Sequence, residues 1–384
     1  MSHPKILLII VSLAAVGELV FLWWPAGPAA KPAAPQQGGG VPPAAGQPVT
    51  TPAANPLLAA AGRLREKPEA ANAAQTLRKL QATLAALPKD EALAAIASFL
   101  ASGKDQPTGL AFEINPDGTL KGWPTLRTFL LDTLLALDPA TAAKMSRDLL
   151  ATPTPTTADE WALALRNVGR AETGAEANAY LRERTEALIT YPAWQADPSI
   201  GYLNAFDVLV HANATASTPL LSSLIQQKDR RDLAHAGFLT LDRLVQRQPA
   251  VELPLLAADR ALQQSRPEMV AQQFARADLR DAAQQALVKS WLQDPARTPT
   301  ELQAFAGVYP NNNRFISNNL LTTETRQPGT DLATHDRQVL EIINGWVADP
   351  AFQPVAEHLR TMVSRLNEFT GTSRAPASPT SPDP

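Results

Sequence analysis

From Leu57 to about Thr370 apolar residues return every three or four positions, and this period constrains the chain more than any single motif. Leu77, Leu80, Leu84 and Leu87 step this way, as do Leu93, Ile96 and Leu100 with Phe99 beside them. Val339, Ile342, Ile343 and Trp346 repeat the step, followed by Leu359, Met362, Val363, Leu366 and Phe369. Residues so spaced line one face of a helix. Hydrophobic residues are 45% of 384 but aromatics only 6%, so Ala and Leu carry the apolar content. Both favour helix, whereas strands favour β-branched and aromatic residues. The pattern predicts about fourteen to sixteen helices of roughly 10–20 residues.

Helix starts are marked as well. Thr157-Ala-Asp-Glu160 is a capping-box sequence before an apolar run. Asp-Pro at 138–139, 197–198, 294–295 and 349–350 offers a carboxylate for an N-cap and a ring suited to the first helical position. Three of these belong to a longer phrase, Trp-x-x-Asp-Pro: Trp194, Asp197 and Pro198; Trp291, Asp294 and Pro295; Trp346, Asp349 and Pro350. The expected role is a joint, in which Trp packs the last turn of one helix, Asp ends the connection and Pro starts the next segment or a tight turn. A Trp-lined ligand site is the alternative. The two fullest copies, at 291–299 and 346–354, lie 55 residues apart, and the third is unevenly placed.

Helix pairs with recurrent punctuation resemble HEAT-type repeats. The resemblance implies an all-α fold, an irregular α-solenoid over residues 57–371 wound as a right-handed superhelix or arc. A compact α-bundle is the alternative. One stretch breaks the rhythm: Leu110, Phe112 and Ile114 alternate before Asn-Pro-Asp-Gly, and Thr119-Leu120 resume. Alternation about such a turn predicts a small β-hairpin near 109–121. A lone hairpin is marginal. It must pack on neighbouring helices or on a partner, which makes Phe112, Ile114 and Trp123 candidate partner contacts.

Residues 6–24 form a nearly continuous apolar run after Lys5, ending in Trp23-Trp24. Nineteen residues at ~1.5 Å each span ~28 Å, close to a bilayer core. The expectation is a single N-terminal transmembrane helix with residues 1–5 cytoplasmic and the remainder outside; a cleaved signal peptide is the alternative. Residues 25–56 hold nine of the 34 prolines and one charge, Lys31, and read as a disordered linker. Residues 372–384 read as a disordered tail.

Formal net charge is −3 without a basic run, which argues against a nucleic-acid partner. The chain has no Cys, which excludes disulfides and thiolate chemistry. His211, His235, His335 and His358 form no metal-binding spacing, and no nucleophile elbow or phosphate-cradling loop is present. The many carboxylates are expected on solvated helix faces. Tyr309-Pro-Asn-Asn-Asn-Arg-Phe315, continuing to Asn318-Asn319, reads as turn and cap material. Tyr309, Asn312 and Phe315 are the candidates for a polar, aromatic surface instead.

The layout of anchor, Ala/Pro-rich linker and helical body resembles that of membrane-anchored lipase foldases, whose signature is Arg-x-x-Phe-Asp-Tyr-x-Leu-Ser. Arg127 and Leu134 fit that spacing, but Leu130, Leu131 and Asp132 stand where Phe, Asp and Tyr belong. Foldase activity is not carried over; the layout implies only that a tethered helical body can hold a client. The resulting expectation is a single-pass bacterial inner-membrane scaffold or adaptor, its helical part periplasmic, binding a protein partner without a cofactor. A cell-envelope enzyme with a site assembled across helices, or a structural spacer, are the alternatives.

Overall fold

The structure is a computed structural model and describes residues 55–67, 69–151, 157–312, 318–323 and 331–371. The apolar run at 6–24, the linker up to residue 54 and the tail at 372–384 lie outside the described residues. Among the described residues no helix is long and apolar enough to cross a membrane.

Chain order begins with α1 (Pro56–Glu66), α2 (Ala70–Ala86) and α3 (Lys89–Ala101), then strands β1 (Glu113–Ile114) and β2 (Leu120–Gly122). Next come α4 (Leu126–Leu137), α5 (Pro139–Leu150), α6 (Ala158–Ala171), α7 (Ala175–Thr190), α8 (Pro192–Ala196), α9 (Ile200–Ala205) and α10 (Asp207–His211). They are followed by α11 (Thr218–Ile225), α12 (Arg231–Arg247), α13 (Pro249–Ala258), α14 (Arg260–Ser265) and α15 (Pro267–Phe274). The last are α16 (Ala282–Gln293), α17 (Pro299–Val308), α18 (Leu332–Ala348) and α19 (Ala356–Thr370), with a 3₁₀ segment at Pro350–Val355. The fold of the described residues is all-α apart from one two-stranded sheet. Among the described residues there are nineteen α-helices, more than the predicted number, because α8, α9, α10 and α14 have only five or six residues.

The Asp-Pro punctuation acts as its chemistry requires. Asp138 caps α5, its Oδ1 accepting the Thr141 amide at 2.8 Å, with Pro139 leading the helix. Asp349 ends α18 and accepts the Ala351 amide at 2.9 Å, so Pro350 opens the 3₁₀ segment. Trp346 stacks on Phe352 with ring centroids 5.3 Å apart. At the second copy Pro295 occupies a tight turn closed by the Arg297 amide on the Asp294 carbonyl. Trp291 in the last turn of α16 packs on Phe274 and Phe305, and the Arg297 guanidinium covers its ring. At the third copy Trp194 belongs to the short α8 and meets Trp161 and Tyr191, while Ser199, not Asp197 or Pro198, caps the next helix. Trp291 and Trp346 are each only 5% exposed.

Two apolar cores form. A smaller one joins α1, α2, α3 and α4 around Leu57, Leu77, Ile96 and Phe129. A larger one runs from the hairpin through α19. They adjoin at α4, whose Leu126, Leu130 and Leu134 face the first while Leu131 faces the second. Helix α4 is therefore buried on most sides, charged residues included, and is not the one-faced amphipathic helix its sequence suggests.

A recurring separation marks the polar contacts between helices. Arg127 pairs with Glu160, 33 residues on, at 3.0 Å; Asp132 with Arg166, 34 on, at 2.5 Å. Asp207 meets Arg243 36 residues on, and Asp242 meets Arg276 34 on, at 2.7 and 2.8 Å. Thr218 donates to Glu252 after 34 residues, and Arg260 reaches Asp294 after 34. About 35 residues is the length of two ordinary helices with their turns. Near the C-terminal end a second distance, close to the 55-residue spacing of the Trp phrases, joins packed elements as well: Arg365 donates to the Tyr309 carbonyl 56 residues back, and Lys289 lies over the Trp346 ring. The polar contacts also correct the expectation of solvated carboxylates: Asp132 is largely buried, and Glu160, Asp207, Asp242, Glu252 and Glu301 are buried.

Candidate functional site

The hairpin is the first wall of the candidate site. Gly118, with φ +81°, closes the Asn115–Gly118 turn, its amide donating to the Asn115 carbonyl at 3.0 Å. An L-residue rarely takes that backbone conformation. Pairing runs Glu113 with Gly122 and Ile114 with Leu120. Phe112, Ile114 and Leu120 enter the larger core.

Asp132 on α4 then fixes the hairpin. Its carboxylate accepts the Trp123 indole N–H at 2.8 Å and the Leu120 amide at 3.3 Å. Arg166 on α6, fully buried, donates to Asp132 and to the Gly118 carbonyl at 3.1 Å. Burial pulls the Arg166 pKa down, and the Asp132 charge opposes that most strongly. The hairpin thus needs no partner to be covered.

Against this wall lies a short segment from far down the chain, Asn318–Thr322, bent at Leu320 and Leu321, in the connection between α17 and α18. Asp207, at the start of α10 and 4% exposed, accepts the Leu321 amide at 2.7 Å and the Thr322 amide at 3.1 Å. The Thr322 hydroxyl also donates to Asp207 and accepts from Arg243 of α12. Arg170 of α6 donates to the Leu320 carbonyl at 3.3 Å, and the Asn318 side-chain amide donates to the Ile114 carbonyl at 2.9 Å. Leu320 is fully buried in the larger core. The occupied seat therefore satisfies amides, a carbonyl and a hydroxyl of one stretch, with groups from β1, α6, α10 and α12.

Two glycines make room for it. A Cβ on Gly118 would come within 2.3 Å of the Leu320 carbonyl oxygen, and one on Gly169 within 2.6 Å of Leu321 Cδ1. His211 borders Gly169 as well, and burial lowers its pKa, favouring neutral imidazole beside the Leu321 side chain.

The sequence-derived candidates fall elsewhere than at an open surface. Phe112 and Ile114 are 5% and 8% exposed, and Tyr309 is fully buried, its hydroxyl donating to the Ala277 carbonyl at 3.2 Å. Apolar bulk places all three in the core, so none of them is a surface available to a partner. Trp123 is half-buried, edge-on to Phe129 and held by Asp132. Asn312 is exposed and donates to Asp336 at 3.3 Å. Phe315 lies outside the described residues. The Asn run does more than local capping: Asn311 bonds the Gln272 and Ala275 carbonyls across 36–39 residues, closing the end of α15.

One cluster has the residues of acid–base chemistry. His335 Nδ1 lies 2.7 Å from Asp336 Oδ1, and Nε2 lies 3.6 Å from Asp278 Oδ1. Burial opposes the imidazolium, but the bond to Asp278 and then that to Asp336 outweigh it and raise the pKa above the ordinary value. With a carboxylate near each ring nitrogen, the charged form of His335 is favoured. Among the described residues no group of three or more His, Cys, Asp or Glu is arranged to hold a metal ion.

Asp207, Arg243, Arg170 and Gly169 were not singled out by sequence reasoning. Their only local signal is an acid opening an apolar run, which many helices share. Compared with known proteins, the chain matches no family model, no curated protein and no solved structure.

Proposed function

We propose that this chain is a membrane-tethered helical scaffold or adaptor of the extracytoplasmic side, whose body stacks helix pairs in the HEAT manner and binds a protein partner. The recurring 33–36-residue separation of polar contacts between helices supports the stacking. Repeated pairs of that length stack on their neighbours and present extended surfaces. The apolar run at 6–24 after Lys5 supports the tether, and the proline-rich stretch behind it supports a spacer.

The observation that carries the binding reading is the seat around Asp207. It holds a bent stretch of backbone through two successive amides and one hydroxyl, which supports a helical body able to grip a polypeptide segment by its backbone. Base chemistry at His335 is disfavoured because the nearby carboxylates favour its charged form.

Site-specific photo-crosslinking in intact cells tests this reading. A crosslinker at the exposed Asn213 or Gln246, a few residues along the chain from Asp207 and Arg243, is expected to join the chain to one discrete protein species. The same crosslinker at Glu357 serves as the control. No adduct from any surface position contradicts the scaffold reading. Protease added to spheroplasts is expected to digest the helical body, and protection there contradicts the topology.

A further inference from the structure

We propose that the first half of α13, residues 249–253, is a proton-operated latch. It lies closed on Thr218 of α11 while Glu252 holds its proton, and it swings out about Pro254 when the proton is lost. The latch stands apart from the scaffold reading and does not depend on it.

One contrast carries the proposal. Of the six buried carboxyls among the described residues, five meet a cation. Arg127 serves Glu160, Arg243 serves Asp207, Arg276 serves Asp242, Arg297 serves Glu301 and His335 serves Asp336. Glu252 is fully buried and has none. Its Oε2 accepts the Thr218 hydroxyl at 2.7 Å, and its Oε1 has no hydrogen-bond partner among the described residues. A carboxyl so placed is tolerated when neutral and costly when charged. Burial accordingly lifts its pKa to about 7, against the smaller effect of Thr218, and no neighbouring charge takes part.

The charged groups on the surrounding elements are engaged elsewhere. Helix α11 carries none. On α12, Asp232 pairs with Arg230, Asp242 with Arg276 and Arg243 with Asp207, while Arg247 donates to the Val210 carbonyl. Arg231 is exposed, and His235 is shifted by burial alone, so it senses no carboxylate. Beyond α13, Asp259 accepts the Ser222 hydroxyl and Arg260 of α14 donates to the Ala296 carbonyl. Glu268 of α15 is exposed, and Lys289 of α16 lies over the Trp346 ring.

The two halves of α13 are held differently. Gln263 of α14 donates to the Leu256 and Ala257 carbonyls, and its own oxygen accepts the Trp291 indole N–H at 3.1 Å. Asp259 ties the same end to α11 through Ser222. The first half, Pro-Ala-Val-Glu-Leu, has Glu252 as its one polar side chain. Pro254 inside the helix has no amide to give the Ala250 carbonyl, which interrupts the ladder between the halves. Val251 and Leu255 are exposed, so the outer side of the helix is not packed. Release uncovers Leu253, which is fully buried in the larger core.

The direction of the switch follows. Closed, Glu252 ionises near 7; released into water, it ionises near the ordinary value of about 4.3. Opening therefore becomes easier as pH rises between the two values and levels off above the higher one.

Amide hydrogen exchange of the full chain in detergent tests this, with each rate divided by the intrinsic rate at that pH. The amides of Val251, Glu252 and Leu253 are expected to be at least tenfold less protected than the buried amides of α6. Their protection is expected to fall on the order of a hundredfold between pH 4.5 and pH 8. Glu252→Gln keeps an acceptor for Thr218 without a charge and is expected to abolish that fall. Protection equal to that of α6 makes the opening global and overturns the latch, as does a fall that persists in Glu252→Gln. Pro254→Ala supplies the missing amide and is expected to raise protection of the first half severalfold at pH 8; no rise overturns the hinge and the proposal with it.

Discussion

The Arg166 guanidinium, wholly removed from water, meets the Asp132 carboxylate at 2.5 Å across 34 residues of sequence. The same two groups hold the hairpin through Gly118, Leu120 and Trp123. A charge this deep is kept by its partner and by satisfied hydrogen bonds, and the pair sets how α4, α6 and the hairpin register.

Removing one member is therefore expected to cost much more than removing both. Arg166→Met strands the Asp132 charge and is expected to destabilise by about 3–5 kcal/mol in urea titrations. Adding Asp132→Leu is expected to recover a large part of that loss. Trp123 fluorescence is still expected to shift in the double variant, because the indole loses its acceptor. Additive losses would contradict the pairing.

Glu252 gives a pH dependence of known sign. Burial pushes its carboxyl pKa up to about 7, against the smaller effect of the Thr218 hydroxyl. In the unfolded chain it ionises near the ordinary value of about 4.3. The folded state then holds the proton longer, so stability falls as pH rises through this window, by roughly 3–4 kcal/mol once ionisation is complete. Glu252→Gln is expected to match wild type near pH 4 and to exceed it at pH 8. Equal stability at both values would contradict the burial effect.

His335 also favours low pH, for the opposite electrostatic reason. Its folded pKa is raised, so its contribution is fully present below the ordinary value of about 6.5 and is lost as pH rises through the folded value. The advantage of wild type over His335→Gln is expected to be largest near pH 5.5 and to shrink by pH 9. Chemical denaturation at both values checks this; a growing advantage at high pH would contradict it.

Gly118 and Gly103 separate backbone strain from contact. Both have positive φ, +81° and +67°, but a Cβ on Gly103 meets nothing within 4 Å, whereas one on Gly118 meets the Leu320 carbonyl. Ala at Gly103 is expected to cost about 1 kcal/mol and Ala at Gly118 at least twice that. Equal costs would show that Leu320 does not lie against the hairpin.

Local physics made some of this legible beforehand. The Leu stripes, the Asp138-Pro139 cap and the Asn-Pro-Asp-Gly turn each draw on neighbours within a few residues, and each is in place. The Trp joints were legible in role at Trp291 and Trp346, whereas at the third copy Ser199 caps the next helix in place of Asp197. What escaped was non-local. Nothing near Asp207 distinguishes an acid capping its own helix from one capturing amides 114 residues away. Phe112, Ile114 and Tyr309 looked like contact residues because sequence marks a large apolar side chain without saying which side of it is covered. Asp132, like the other carboxylates, was expected on a solvated face for the corresponding reason.

Amide hydrogen exchange at Leu321 and Thr322 tests the central claim most directly. With Asp207 holding both amides in a buried seat, they are expected to exchange as slowly as the core amides of α6. In Asp207→Ala they are expected to exchange at unprotected rates while α6 stays protected. Fast exchange of both amides in the wild-type chain would contradict the account.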